Sequence, residues 1–168
     1  MSQVSVLIIL LTAASPAPAG DGGGAKAQRA QVTIQAIEAR PGNDRTEGVD
    51  PKLAEKLRRT LKLMGVAKPD LTSLGRSSRE LGAGESTSMA VKPYEVEVTC
   101  KSVSADTVGV SVELFKLEKD PKTKKTEKKS KNRSSTDLTA DEVHVVTVMQ
   151  DAEKKTVFVI SRERAGGE

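Results

Sequence analysis

His144 is the only histidine of the chain and Cys100 its only cysteine. That excludes any site needing two imidazole ligands and leaves one thiol as the only sulfur nucleophile. Side by side, the two residues would make a nucleophile and its base. The surrounding pattern argues otherwise. Cys100 alternates in phase with Val96 and Val98, the position of a small core residue. His144 is in phase with Val146 and Val148, which suits a partly buried, hydrogen-bonded histidine. Asp50, Asp70, Glu85 and Asp106 fall where helix caps and turns take a carboxylate, and no two carboxylates are spaced to share one helix face for acid–base work. Gly82-Ala83-Gly84 lacks the lysine and helix that follow a phosphate loop. The sequence therefore yields no catalytic residue, no cofactor site and no metal site.

What remains is charge. Between Lys116 and Arg133 nine basic residues face only Glu118, Asp120 and Glu127, a net +6 in a chain whose total is +4. Everything outside this segment is thus −2, and the basicity belongs to one stretch. Its scarcity of apolar residues predicts a long mobile loop over 118–138. Lys119, Lys122, Lys124, Lys125, Lys128, Lys129, Lys131 and Arg133 are the candidates for contact with an anionic surface. No aromatic residue stands among these lysines for base stacking and no recognition motif accompanies them, which disfavours nucleic acid. Anionic lipid or acidic polymer needs only the charge.

The elements that must carry these residues read mostly as strands. With two Phe, one Tyr and no Trp, the core has to be built from Val, Leu and Ile, a composition that favours sheet. Val32–Ala39 has strand character and ends in the turn residues Arg40-Pro41-Gly42-Asn43-Asp44. Leu71 and Leu74 mark another strand, and Ser86–Val91 leads to Pro93. Tyr94, Val96, Val98 and Cys100 share one face and Val108, Val110, Val112 and Leu114 repeat the alternation after a turn, which predicts a hairpin. Val143–Val148 and Thr156–Ile160 close the set across a turn at Gln150–Glu153. One helix is expected at about residues 51–64: Asp50 is a good N-cap, Pro51 suits the first helical position, and Leu53, Leu57, Leu61 and Met64 form a single apolar stripe ended by Gly65. The fold class is mainly β, an antiparallel β-sandwich or open barrel with one amphipathic helix.

At the N-terminus, Val4–Leu11 is an apolar run too short to span a membrane, and Ala17 and Ala19 match the small-residue pattern of a signal peptidase site. This predicts a signal peptide over 1–19, a flexible Gly-rich tether over 20–30, a single β-rich domain over 31–163 and a disordered tail over 164–168. Cleavage after Ala27 is the alternative to cleavage after Ala19. No transmembrane span is expected in the mature chain, and its location is exported, periplasmic or extracellular.

The residues Gly48-Val49-Asp50-Pro51-Lys52-Leu53, with Leu57, Leu61, Leu71 and Leu74, then Leu81-Gly82-Ala83-Gly84-Glu85, Tyr94-Glu95-Val96-Glu97-Val98 and Val157-Phe158-Val159-Ile160, resemble an uncharacterised group of exported bacterial proteins of δ-proteobacterial and planctomycete-like genomes. The resemblance spans roughly Val32–Arg162 and implies a fold but no activity. The functional expectation is an exported, non-enzymatic accessory or binding module of the cell envelope, with an envelope protein, anionic polymer or lipid surface as partner. The alternative is a small exported hydrolase built from loop residues. N-terminal sequencing of exported protein should begin at Gly20 or Gln28, and a product that still carries Met1 would exclude cleavage.

Overall fold

In a computed structural model of the chain, residues 6–9, 28–140, 142–149 and 153–163 are described. The strands are β1 (Val6–Ile9), β2 (Arg29–Pro41), β3 (Thr46–Glu47), β4 (Pro69–Gly82), β5 (Ser86–Val91), β6 (Tyr94–Val103), β7 (Val108–Lys119), β8 (Thr126–Leu138), β9 (Val143–Met149) and β10 (Lys155–Arg162), with helix α1 at Pro51–Leu63. One sheet runs β1-β9-β10-β2-β4-β3 and the other β5-β6-β7-β8. All neighbours are antiparallel except β3 with β4. Neither sheet closes on itself and the two pack face to face, so of the two expected forms the architecture is the sandwich with one helix.

Alternation places the layers. Val32, Ile34 and Ala36 of β2, Phe158 and Ile160 of β10 and Val146 and Val148 of β9 meet Val96, Val98 and Cys100 of β6 and Val108, Val110, Val112 and Leu114 of β7 in one core. The residues between them face the other way: Ile37, Ala39, Val145, Val157 and Val159 pack under Ala54, Leu57 and Leu61 of α1. The first sheet is therefore buried on both faces, by its partner sheet and by the helix. The unbroken apolar run Val157–Ile160 follows from this, because both sides of β10 lie in a core.

Helix α1 begins as its sequence dictates. Asp50 Oδ1 accepts the backbone N–H groups of Lys52 at 2.9 Å and Leu53 at 3.1 Å, and Pro51 follows at the first position. Arg58 ties the helix to the preceding loop through the Asp44 carbonyl and the Thr46 hydroxyl. The buried stripe is Ala54, Leu57 and Leu61, with Leu53 and Met64 half-buried at its margins.

Two expectations are revised, and a bulge turns one expected strand residue outward. Strand β2 starts at Arg29, with Ala30 buried, so the end of the 20–30 tether belongs to the sheet; residues 20–27 and the tail 164–168 lie outside the described residues, as do 150–152 of the last connection. Leu74 lies in strand β4, as expected. It is the extra residue of a bulge opposite Ala36 and Ile37 and is exposed. The largest change is at 118–138, expected as a loop. Residues 126–138 are strand β8, paired along β7 from Val108↔Leu138 to Lys119↔Thr126, and only Asp120–Lys125 turn between the two. Low strand propensity in Lys, Asn and Ser is overridden by backbone pairing with a strongly apolar neighbour, since strand preference depends on context.

Of the leader expected over 1–19, the described part is Val6–Ile9, which pairs antiparallel with the outer edge of β9 from Val6↔Val148 to Ile9↔Val145. Leu57→Ala should lower unfolding free energy in urea by about 2–5 kcal/mol, the range for a large core side chain cut to a methyl. Leu63→Ala, at 85% exposure, should stay within about 0.5 kcal/mol of the parent.

Candidate anion-contact hairpin

The basic residues of 116–133 do not form one field of free charge. On the outer face of the second sheet, Lys128 Nζ stands 2.8 Å from Oε1 of Glu95 and 5.6 Å from the centroid of the Phe115 ring. Glu95 is buried, and the hydrogen bond to it raises the Lys128 pKa. Arg133 meets the cross-strand Glu113 at 3.4 Å. Lys129 and Lys116 close on Glu118 from two sides at 2.6 and 3.0 Å. Glu118 is held down at about 2 by the Lys129 hydrogen bond first and Lys116 second. Three of the eight expected contact residues, Lys128, Lys129 and Arg133, are thus engaged by carboxylates of β6 and β7.

The other five are differently placed. Among the described residues, the ammonium groups of Lys119, Lys122, Lys124, Lys125 and Lys131 have no hydrogen-bond or ion-pair partner, and all five residues are exposed. Four of them cluster at the hairpin end. There Asp120 is spent on the turn: Oδ1 accepts the Lys122 N–H at 2.7 Å, Oδ2 accepts the Thr123 hydroxyl at 2.8 Å, and its backbone pairs with Lys124 and Lys125. Pairing of β6 with β7 ends at Tyr94↔Lys116, so from Glu118 outward the hairpin is a two-stranded arm. Asp120-Pro121 is a turn-opening pair and was the available signal for this hairpin. The counter-ions Glu95 and Glu113 carried none, because they are brought to the lysines only by sheet register.

Cys100 and His144 are not brought together. The Cys100 thiol points to the Ser102 carbonyl at 3.6 Å, is fully buried, and has its pKa raised chiefly by that burial. His144 lies 3.1 Å from the Ser134 hydroxyl through Nε2, at 3% exposure, and burial lowers its pKa. Each is a core group with a local partner.

Two recesses among the described residues carry polar groups. One of about 240 Å³ is lined by Lys101, Ser102, Gly109, Val110, Ser135, Thr136 and Asp137, and neither Cys100 nor His144 reaches it. The other, about 350 Å³, contains Glu38 and Asp70 with Arg40, Pro41 and Thr72. Glu38 is held below its ordinary range mainly by the Lys154 ammonium, 2.6 Å away, with Arg40 assisting. Asp70 is held down by the backbone N–H groups of Arg45 and Asn43, both at 2.8 Å. Both carboxylates stay ionised on donors the fold already supplies, which is the opposite of a general acid poised near neutrality. No group of three His, Cys, Asp or Glu side chains suited to a metal occurs among the described residues, and no helix among them is long and apolar enough to cross a membrane.

Comparison with protein families, curated proteins and solved structures finds no match to this chain. Its function has to be argued from the residues themselves.

His144 makes one pH-dependent contribution to stability. Its folded pKa is below the unfolded value of 6.5, so between the two the unfolded chain binds more protons and stability falls as pH drops. The contribution is fully present above 6.5 and is lost as pH falls through the folded value. The difference in unfolding free energy between the parent and His144→Gln should therefore change with pH only below about 6.5, and a flat difference down to pH 4 would remove the assignment.

Proposed function

We propose that the protein is an exported, non-enzymatic binding module of the cell envelope that touches an anionic lipid or polymer surface through the end of the β7–β8 hairpin. The observation that carries this reading is the division of charge along the arm. Along its base Lys128, Arg133 and Lys129 are paired with Glu95, Glu113 and Glu118, with Lys131 as the exception, whereas Lys119, Lys122, Lys124 and Lys125 at its end keep their charge unspent. Such lysines lose little on approaching a phosphate or carboxylate array, because they have no internal partner to give up. Each contributes about 1 kcal/mol at an anionic membrane surface. Exposed charge of this kind is screened within about 10 Å at 0.1 M salt, so the contact is salt-sensitive.

The export part of the reading rests on Val4–Leu11 and the Ala17 and Ala19 cleavage pattern. An exported chain with a single cysteine has no internal disulfide, and its stability comes from the two cores that Val, Leu and Ile fill on either side of the first sheet.

Co-sedimentation with phosphatidylglycerol-containing vesicles at low salt measures the contact. Replacing Lys119, Lys122, Lys124 and Lys125 with Gln should weaken association about a hundredfold or more, while thermal unfolding stays near the parent because these side chains touch no core residue. Replacing Lys128 instead should cost stability through Glu95 and change vesicle binding less. Equal binding by the four-lysine variant and the parent would place the contact elsewhere.

A further inference from the structure

Strand β9 has two edges, one paired to β10 and the other to Val6–Ile9. That second partner belongs to the segment that export would remove. Cleavage after Ala19 or Ala27 thus strips the strand from β9 and leaves the backbone of Val145–Val148 open along its length. The inference that follows rests on the export reading.

Exposed sheet edges are usually blunted by charge, proline, bulges or short length. Two of the other edges carry such devices: β3 has two residues, and β8 carries Glu127, Lys128, Lys129, Lys131 and Arg133 with a register shift near Phe115, while the β5 edge is six residues long and more polar, with Ser86, Thr87 and Ser88. Strand β9, Val-His-Val-Val-Thr-Val-Met, has no charged residue, proline or glycine, and its pairing with β1 is in continuous register. Its sandwich-facing valines, Val146 and Val148, and its helix-facing Val145 belong to the two cores. Solvating this edge therefore opens both.

We propose that the processed protein is a symmetric dimer in which β9 pairs with β9 of a second copy, in the place that Val6–Ile9 occupies in the unprocessed chain. The structure supplies the orientation: the edge takes its partner antiparallel, and a two-fold axis across one strand makes that strand antiparallel to its own copy. It supplies the chemistry as well, since Val145–Val148 is β-branched throughout and, Thr147 apart, as apolar as the Val6–Ile9 strand it replaces. Two-fold pairing is the commonest closed assembly, and it consumes the edge completely. Before processing, Val6–Ile9 acts as an internal cap that keeps the chain single.

Light scattering on size-exclusion fractions tests this with the full chain, a chain starting at Gly20, and a full chain carrying Leu7→Pro and Ile8→Pro, which removes one N–H from each side of β1. The full chain should be monomeric, and the other two should have twice the single-chain mass. Amides of Val145–Val148 should be protected from exchange in the dimer, and excess of a lysine-flanked Val4–Leu11 peptide should return it to monomer. A folded monomer for both altered chains overturns the proposal. So does open-ended aggregation, a dimer with freely exchanging Val145–Val148 amides, or a Gly20 chain that stays single while capturing the peptide, which would make the edge an acceptor for a foreign strand. Finding Met1 on the natural product would sink the export reading alone, leaving the dimer of the Gly20 chain to be judged by its own mass.

Discussion

The structure depends on β10 being apolar on both faces. Phe158 and Ile160 enter the core between the sheets, and Val157 and Val159 enter the core beneath the helix. A strand of this kind has no face to give to water, so the sheet containing it must be covered twice. One cover is the four-stranded sheet and the other is α1. The helix is consequently not an appendage: its thirteen residues present only one narrow stripe, Ala54, Leu57 and Leu61, and an isolated helix of that length is marginal in water. Stripe and sheet stabilise one another, and each would be unstable alone.

A second constraint acts on the outer face of the four-stranded sheet, which no layer covers. There the sequence places Glu95 and Glu113 on neighbouring strands, and Lys128 and Arg133 on β8 answer them. Cross-strand pairs of opposite charge contribute a few tenths to about 1 kcal/mol each, with exposed ones at the low end. They do not hold the sandwich together. Their effect is to align an edge strand of poor intrinsic propensity, and to leave the lysines beyond Glu118 as the unpaired part of the segment.

The charged edge strand β8 and the apolar strand β9 lie on different sheets and answer opposite demands. Strand β8 can face water because its side chains prefer it there. Strand β9 contributes Val145, Val146 and Val148 to two cores, so hydrophobic substitution at its edge cannot be traded for charge without opening both. A strand side that packing forbids from being polar needs a partner strand, and Val6–Ile9 is that partner.

Much of this was legible in the sequence because it follows from short-range periodicity. The two-residue alternation of Tyr94–Cys100 and Val108–Leu114 fixed which side chains share a face, the Asp50-Pro51 start and the leucine stripe fixed the helix, and the alternation also put Cys100 and His144 in the core, where each is found. What escaped was every feature that depends on pairing between distant residues. Polar alternation in 126–138 resembles loop composition until β7 lies beside it, and the bulge that leaves Leu74 exposed is set only by the pairing of β4 with β2. The division of the lysines into paired and unpaired sets needed the positions of Glu95 and Glu113, which come from strands remote in sequence, and the pairing of β9 with Val6–Ile9 needed the strand order. Side-chain type and local spacing decide what a segment can become; sheet register, set by burial on both faces of β10, decides which charges meet and which backbone groups remain open.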